Sequence, residues 1–249
     1  PPPSLPAWAE SLAWTDLPVL RASALAVQAR SRQADETDAH VLAEIVLRDP
    51  LLCLRVLAAA VARQSRLATP VETVAAALVL TGIDPFFRDC AGMRVLEDAL
   101  EGPARQRALA VIARSHVAAR IAAAFAIHRQ DEDVEAVHLA ALLHDFAQLL
   151  APYFAPQAEE QADDDAAPQE EVTDALLQRW GLPETLRTLA REPAGEAAGP
   201  RMVALAVRIA QHLEHGWHGP ALLEDFTRAA ALLNLKLQAA TALVRQAAD

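Results

Sequence analysis

The stretch VEAVHLAALLHDFAQLL, residues 134–150, decides the fold that this sequence predicts. Its apolar side chains recur every three or four residues, which is the spacing of one buried face of an α-helix. The stretch ALAVIARSHVAARIAAAFAI, residues 108–127, precedes it with the same spacing. Two long apolar segments in succession predict two helices that can lie antiparallel.

The same periodicity continues along most of the chain, while alternating strand patterns and hairpin turns are nearly absent. Asp49 before Pro50 predicts a capped helix start, Thr69 with Glu72 forms a capping box, and Gly82 predicts a helix end. The sequence therefore predicts an all-α protein. We expect helices near residues 17–31, 38–48, 50–63, 70–81, 85–99, 104–127, 132–150, 170–180, 183–191, 200–214, 222–233 and 235–248.

Interruptions in the helical pattern predict the domain organisation. Gly102 and Pro103 break the pattern, so we expect an N-terminal helical lobe over 1–102 and a second helical lobe over 103–249. Residues 155–171 carry seven acidic and no basic side chains, which predicts a solvated loop within the second lobe. Residues 195–200 are expected to form a shorter loop.

Charge and composition exclude several classes of function. The 249 residues include 22 basic and 33 acidic ones, a net charge of −11, which argues against a nucleic-acid binder. Lys236 is the sole lysine, and no glycine-rich phosphate loop occurs. The composition thus excludes a phosphate-loop nucleotide fold and leaves lysine chemistry without a candidate motif.

The sequence also carries expectations about location. No window of about 18 apolar residues lacks a charge, so no membrane span is expected. The start of the chain has no basic segment typical of a secretory signal. Cys53 and Cys90 lack the spacing of a metal or redox motif and are expected to be buried apolar residues. We therefore expect a cytoplasmic protein.

The adjacent His144 and Asp145 are the strongest candidates for chemistry. A neutral imidazole and a carboxylate can both ligate a divalent metal. His116 lies 28 residues upstream on the preceding predicted helix and could approach them. His138, seven residues before Asp145, shares its helix face and is a conceivable further ligand, although a packing role suits it better. No nucleophile motif accompanies these residues.

A histidine followed by a His-Asp pair on the next helix resembles the HD phosphohydrolase superfamily. Over about residues 16–215 the chain resembles its HDOD subgroup, the HD-related output domain of bacterial signalling proteins. The resemblance is carried by the order and spacing of four segments, which are VLAEIVLRDPLLCLRVLAAA at 41–60, TPVETVAAALVLTGI at 69–83, the stretch from Ser115 to Asp145, and ALLQRWGLPETL at 175–186.

The resemblance implies a metal site formed by His116, His144 and Asp145. A working member has a fourth ligand, an aspartate on a later helix, and Gln211 stands at that position here. Ala147 and Gln148 replace a glycine and lysine that often follow the pair, and Gln169 stands where a histidine is expected. A neutral amide is a weaker metal ligand than a carboxylate, so any metal site should be vestigial or weak.

These observations leave two main hypotheses of function. The first is a non-catalytic signalling module, without a cofactor, that binds a signalling protein partner; in it, Asp145 orients a histidine through a charge-assisted hydrogen bond. The alternative is a metal-dependent phosphohydrolase or phosphodiesterase acting on a nucleotide or cyclic dinucleotide, with Gln211 or water completing the metal shell. A third possibility is a site that binds a nucleotide without hydrolysing it. None of them involves a membrane or a nucleic acid.

Overall fold

The structure, a computed structural model, describes residues 5–64, 70–154, 168–191 and 195–249. The described residues form α-helices and short 3₁₀ turns joined by loops, and they contain no β-strand. A single isolated bridge pairs Val19 with Val95. The all-α fold predicted from the sequence is confirmed.

Packing divides the chain into two compact units, and each unit combines two segments of sequence. The first unit comprises Pro1–Leu109 and Phe146–Pro183, and the second comprises Ala110–Asp145 and Glu184–Asp249. Residues after the His-Asp pair therefore pack with the N-terminal part of the chain. The division into lobes at residues 102 and 103 stays a prediction, and the packing units do not follow it.

The helices of the first unit are mostly short. They are α1 (Ala7–Ser11), α2 (Arg21–Ser31), α3 (Ala39–Val46), α4 (Pro50–Arg63), α5 (Val74–Thr81), α6 (Ile83–Asp89) and α7 (Leu96–Ala99), to which the later segment adds α10 (Phe146–Phe154) and α11 (Gln169–Arg179). The most deeply buried is α4, whose residues from Pro50 to Leu54 are all inaccessible or nearly so. This unit thus has its core around one apolar helix.

The second unit contains longer helices. The 28-residue α8 (Gly102–Arg129) contributes its residues from Ala110 onward, and the other helices are α9 (Val134–Leu143), α12 (Glu184–Ala190), α13 (Ala198–Leu213), α14 (Pro220–Leu233) and α15 (Leu237–Ala248). α9 packs against α12 and α13, and α14 packs against α13 and α15. The residues of the predicted metal site all belong to this unit.

Asp49 confirms the predicted start of α4 and also explains where α2 begins. Its Oδ1 accepts hydrogen bonds from the N–H groups of Leu51 and Leu52, as an N-cap does, while Oδ2 accepts one from Leu20 at 2.7 Å. Residues 17–20 are therefore held extended. The predicted helix over 17–31 is wrong in its first turn, and α2 begins at Arg21.

Two more predicted helices of the first unit differ from the structure. α5 begins at Val74 instead of 70, because the Thr73 hydroxyl accepts the N–H of Ala76 at 3.1 Å and caps the helix there. Thr69 lies outside the described residues. The predicted helix over 85–99 is interrupted after α6, where Gly92 adopts a φ of +73° and residues 90–95 form a turn and the bridge. Gly82 ends α5 with a φ of +82°, as predicted.

The predicted loops are correct only in part. Most of the acidic stretch at 155–171 lies outside the described residues, but its last residues already belong to α11. Glu170 and Glu171 lie in the first turn of that helix, where negative charge is favourable to the helix dipole. The loop predicted at 195–200 ends early, because α13 begins at Ala198.

Two segments among the described residues are long and apolar enough to cross a membrane, judged by length and composition only. They are Gly102–Arg129 and Val134–Phe154, and 50% and 67% of their most apolar windows are buried within the protein. Burial of this extent is also what the core helices of a helical domain show. The expected absence of a membrane partner stays a prediction.

Candidate functional site

The His-Asp pair, His144 and Asp145, lies at a break between two helices. α9 ends at Leu143 and α10 begins at Phe146, so the single helix predicted over 132–150 is wrong at this point. The His144 N–H is directed to the carbonyl of Ala141, three residues earlier, at an N···O distance of 3.5 Å. In a regular α-helix the partner is the carbonyl four residues earlier. The side chains of these two consecutive residues, His144 and Asp145, are in contact across this break.

The Asp145 carboxylate is buried and has protein partners at both oxygens. The imidazole Nδ1 of His144 donates to Oδ1 at 2.8 Å. The Arg114 guanidinium donates to Oδ2 from Nη2 at 3.0 Å and from Nε at 3.2 Å. The side chain of Asp145 is 7% exposed and that of Arg114 is 11% exposed, so this is a largely buried, charge-assisted network.

Arg114 connects the His-Asp pair to the end of α13. Its Nη1 donates to the Glu214 carboxylate, at 3.1 Å to Oε1 and 3.3 Å to Oε2. One guanidinium from the middle of α8 thus bridges a buried carboxylate at 7% exposure and a partly exposed one at 37%. The planar fork of an arginine suits this bridging of two carboxylates.

The charge state of Asp145 follows from its surroundings. Burial acts to raise the pKa of this carboxyl, but the hydrogen bond and charge of His144 and the charge of Arg114 outweigh it. The net result is a pKa below the ordinary value of 3.8. Asp145 is therefore an anion at neutral pH, stabilised by groups of its own chain.

The other predicted metal ligand, His116, lies on α8 near His138 of α9. Burial lowers the pKa of His138, and the charge of His116 lowers it further. His138 also makes a hydrogen bond with the backbone of Ala119, which fixes its ring against α8. The histidine that the sequence identified as a packing residue is thus one of the groups that His116 interacts with.

Gln211 lies half-buried on α13, one helical turn before Glu214. Glu214, rather than position 211, supplies the carboxylate that joins the network of the His-Asp pair. Neither Glu214 nor Arg114 was among the predicted site residues. No local pattern distinguishes Arg114 from the other arginines of α8, which are Arg105, Arg107, Arg120 and Arg129.

The donors do not fit a divalent metal in this arrangement. No group of three or more His, Cys, Asp or Glu side chains within the described ranges is placed to hold a metal ion. Asp145 already bonds a cationic guanidinium at one oxygen and an imidazole N–H at the other. We therefore derive no metal-dependent step from this site. The set of His116, His144 and Asp145 with Gln211 stays a prediction from the resemblance.

A second buried carboxylate braces the same unit. Asp225 of α14 is 2% exposed and accepts hydrogen bonds at 2.6 Å from Arg208 Nε and from His212 Nδ1, both on α13. Arg208 and His212 are one turn apart, so they hold the carboxylate from one helix face. His212 and Asp225 are 13 residues apart along the chain, so no local sequence pattern identifies this pair.

Ser115 and the cysteines have structural surroundings. The Ser115 hydroxyl donates to the carbonyl of Val111 at 2.9 Å within α8. Cys53 is buried as expected, whereas Cys90 is only partly buried. Burial raises the pKa of the Cys90 thiol to about 12, so it is protonated at neutral pH and a poor nucleophile.

Comparison with known proteins places this arrangement in context. The profile of the HDOD domain matches residues 17–194. No curated protein sequence matches the chain. The crystal structure of the MmoQ response regulator from Methylococcus capsulatus is similar, with a TM-score of 0.70 and 20% identity over 92% of this chain and 98% of that one. A virulence factor from Campylobacter jejuni has a TM-score of 0.64 and 16% identity, covering 96% of this chain and 95% of that one.

Proposed function

Because the chain belongs to the HDOD family, we propose that it is a non-catalytic signalling module that acts by binding a protein partner. Folds of this kind host different activities, so the proposal depends on the chemistry of the site rather than on the fold. The His-Asp pair is its decisive part, since hydrolysis in the HD superfamily depends on a metal held by that pair.

One observation carries the proposal: both oxygens of Asp145 are engaged by groups of the same chain. A metal bound to Oδ2 would have to displace Arg114, whose guanidinium is 11% exposed. A displaced guanidinium would lose its partner in a largely buried place, which is a costly change. The network therefore favours a brace that joins α8, the His-Asp pair and the end of α13.

The name of one structural relative is in keeping with a signalling role. MmoQ is called a response regulator, and it covers nearly the whole of this chain. At 20% identity this similarity concerns the fold. It supports the choice of a signalling partner only together with membership of the HDOD family.

Metal analysis combined with turnover assays tests the proposal. The full chain is stripped of metal, incubated in turn with Mn²⁺, Fe²⁺ and Zn²⁺, freed of excess ion, and compared with His144→Ala. We expect less than stoichiometric metal in both proteins and no hydrolysis of a phosphomonoester, a phosphodiester or a cyclic dinucleotide. One metal per chain that is lost in His144→Ala, together with turnover, would overturn the proposal in favour of the phosphohydrolase.

A thermal-shift panel separates partner binding from nucleotide binding. A nucleotide that binds the folded chain raises Tm in proportion to the logarithm of its concentration above Kd. We expect no shift for mono-, di- and cyclic dinucleotides at concentrations about a hundredfold above a micromolar Kd. A shift abolished by Arg114→Ala or Gln211→Ala would instead assign a nucleotide to the site.

A further inference from the structure

An open groove in the first unit lies between α2 and the segment from the end of α6 to Met93. Its volume is about 430 Å³, within the usual range of binding pockets. The apolar side chains that line it are Ala24, Leu25, Val27, Phe87, Ala91 and Met93. Leu25 is 60% exposed, a large apolar surface beside a concave site.

The exposed side chains of α2 continue the groove into an elongated face. Arg21, Leu25 and Gln28 are exposed along this helix, and Arg32, its C-terminal cap, follows on the same side. Successive members are three or four residues apart and form one ridge about 16 Å long. A ridge of this length and a neighbouring apolar groove match the packing surface that a helix of about three turns requires.

The two walls of the groove are basic, in contrast with the chain as a whole. Residues 21–32 and 87–94 together contain five arginines and one acidic residue, whereas the chain has 22 basic and 33 acidic residues. The acidic residue, Asp89, is paired with Arg63 at 2.5 Å. The walls therefore carry a local positive charge on an acidic protein.

Part of that charge is neutralised by the protein itself. The Arg21 guanidinium pairs with Asp98, and its backbone N–H donates to the Glu97 carboxylate at 2.9 Å. Arg94 Nη2 lies 3.9 Å from Asp16 Oδ1. The arginines of the walls that have no ion pair among the described side chains are Arg30, Arg32 and Arg88. Two of these, Arg32 and Arg88, are exposed, one on each wall.

We propose that this groove binds an amphipathic helix of a partner protein, with apolar side chains facing Leu25, Phe87 and Met93 and acidic side chains facing Arg32 and Arg88. The inference rests on the proposed function, which it deepens by giving the partner's chemistry. Phosphate backbones would be recognised by arginines without an apolar groove. In helix-in-groove recognition the apolar face of the helix enters the groove, and complementary charges beside the groove fix its register.

A pair of synthetic helical peptides tests the proposal on the full chain. Both peptides are labelled with fluorescein, have about 18 residues and carry leucine at every third or fourth position. In the acidic peptide the positions that flank the leucine face are glutamate, and in the basic peptide the same positions are lysine. We expect the acidic peptide to bind at least about tenfold more tightly than the basic one at low ionic strength. Added salt should weaken that binding, because the contribution of exposed charges is screened.

Substitutions locate the binding. Leu25→Asp should weaken the binding of the acidic peptide at least about tenfold. The double variant Arg32→Glu with Arg88→Glu should bind the basic peptide more tightly than the acidic one. Leu223→Asp is the matched control, because Leu223 on α14 is also 60% exposed and lies in the other unit. Circular dichroism and unfolding curves verify that each variant is folded.

Three results would overturn the proposal. They are no peptide binding at low salt, equal binding of the two peptides, and equal effects of Leu25→Asp and Leu223→Asp. Binding to vesicles of anionic and of neutral lipid is measured in addition. If the chain binds anionic vesicles and Leu25→Asp abolishes this binding, the surface would be assigned to a membrane instead. All of these outcomes are independent of metal content and turnover, so a failure here is distinguishable from a failure of the proposed function.

Discussion

The Arg114 guanidinium donates two hydrogen bonds to one oxygen of Asp145, Oδ2, from Nη2 and Nε at 3.0 and 3.2 Å. This contact gives the His-Asp pair a cation that belongs to the chain. A divalent metal neutralises carboxylates in the same way, but it also activates water, which a guanidinium does not do. Arg114 thus places a positive charge beside the carboxylate of the His-Asp pair.

Removing Arg114 should destabilise the protein strongly. Arg114→Ala leaves Asp145 buried with His144 as its remaining side-chain partner in the network, and breaking a buried ion pair typically costs about 3–5 kcal/mol. The measurement is the free energy of unfolding in urea at neutral pH. Arg228→Ala is the control, since Arg228 is 54% exposed and its pairing with Glu224 is worth less than about 0.5 kcal/mol. Equal losses for the two variants would contradict the brace.

Asp145 should support stability only above acidic pH. Its pKa in the folded state lies below 3.8, since the partners that favour the anion outweigh burial. The stability that it contributes is therefore present above pH 3.8 and is lost as the pH falls through the folded pKa. Unfolding curves of the natural protein and of Asp145→Asn should differ most near neutrality and converge in acid. A difference that grows in acid would contradict the ionised network.

Asp49 should have the opposite pH dependence. Burial raises its pKa from 3.8 to about 6, although it accepts backbone hydrogen bonds from Leu20, Leu51 and Leu52. A raised pKa in the folded state gives stability below pH 3.8 that is lost as the pH rises to about 6, by up to roughly 3 kcal/mol. The measurement is the unfolding free energy of the natural protein minus that of Asp49→Asn, which should decrease over this interval.

Asp38 provides a matched control for the pH dependence predicted for Asp49. Asp38 also caps a helix, accepting the N–H of Val41 at 2.8 Å, but it is exposed. The same comparison with Asp38→Asn isolates the effect of burial from that of capping. If the difference for Asp49 stays constant between pH 4 and 7, its carboxyl does not titrate there in the folded protein.

The sequence predicted those parts of the fold that depend on neighbouring residues. Asp49 and Pro50 identify a helix start because the cap and the fixed φ act within one turn. Thr69 and Thr73 are both acceptable caps by residue type, and the pattern alone favoured a start at residue 70, whereas α5 begins at Val74. The family resemblance similarly located His144 and Asp145 through local motifs.

The contacts that define the candidate site could not be predicted in this way. Arg114 lies 31 residues from Asp145 and 100 residues from Glu214 along the chain. Periodicity identifies which face of a helix is buried, but it does not say which polar side chains from different helices will meet. That information arises only when the helices pack, so Arg114 and Glu214 were not predicted as site residues.

Gly181 should be intolerant of a side chain for two separable reasons. It follows α11 with a φ of +72°, and a Cβ there would lie 3.1 Å from Val61 Cγ1. Gly92 has nearly the same φ, +73°, with open space around it. Gly92→Ala should therefore cost about 1–2 kcal/mol for the left-handed backbone alone, and Gly181→Ala about 1 kcal/mol more in urea unfolding. Adding Val61→Ala should reduce the cost of Gly181→Ala to that of Gly92→Ala, and an unchanged cost would show that the contact with Val61 is not responsible.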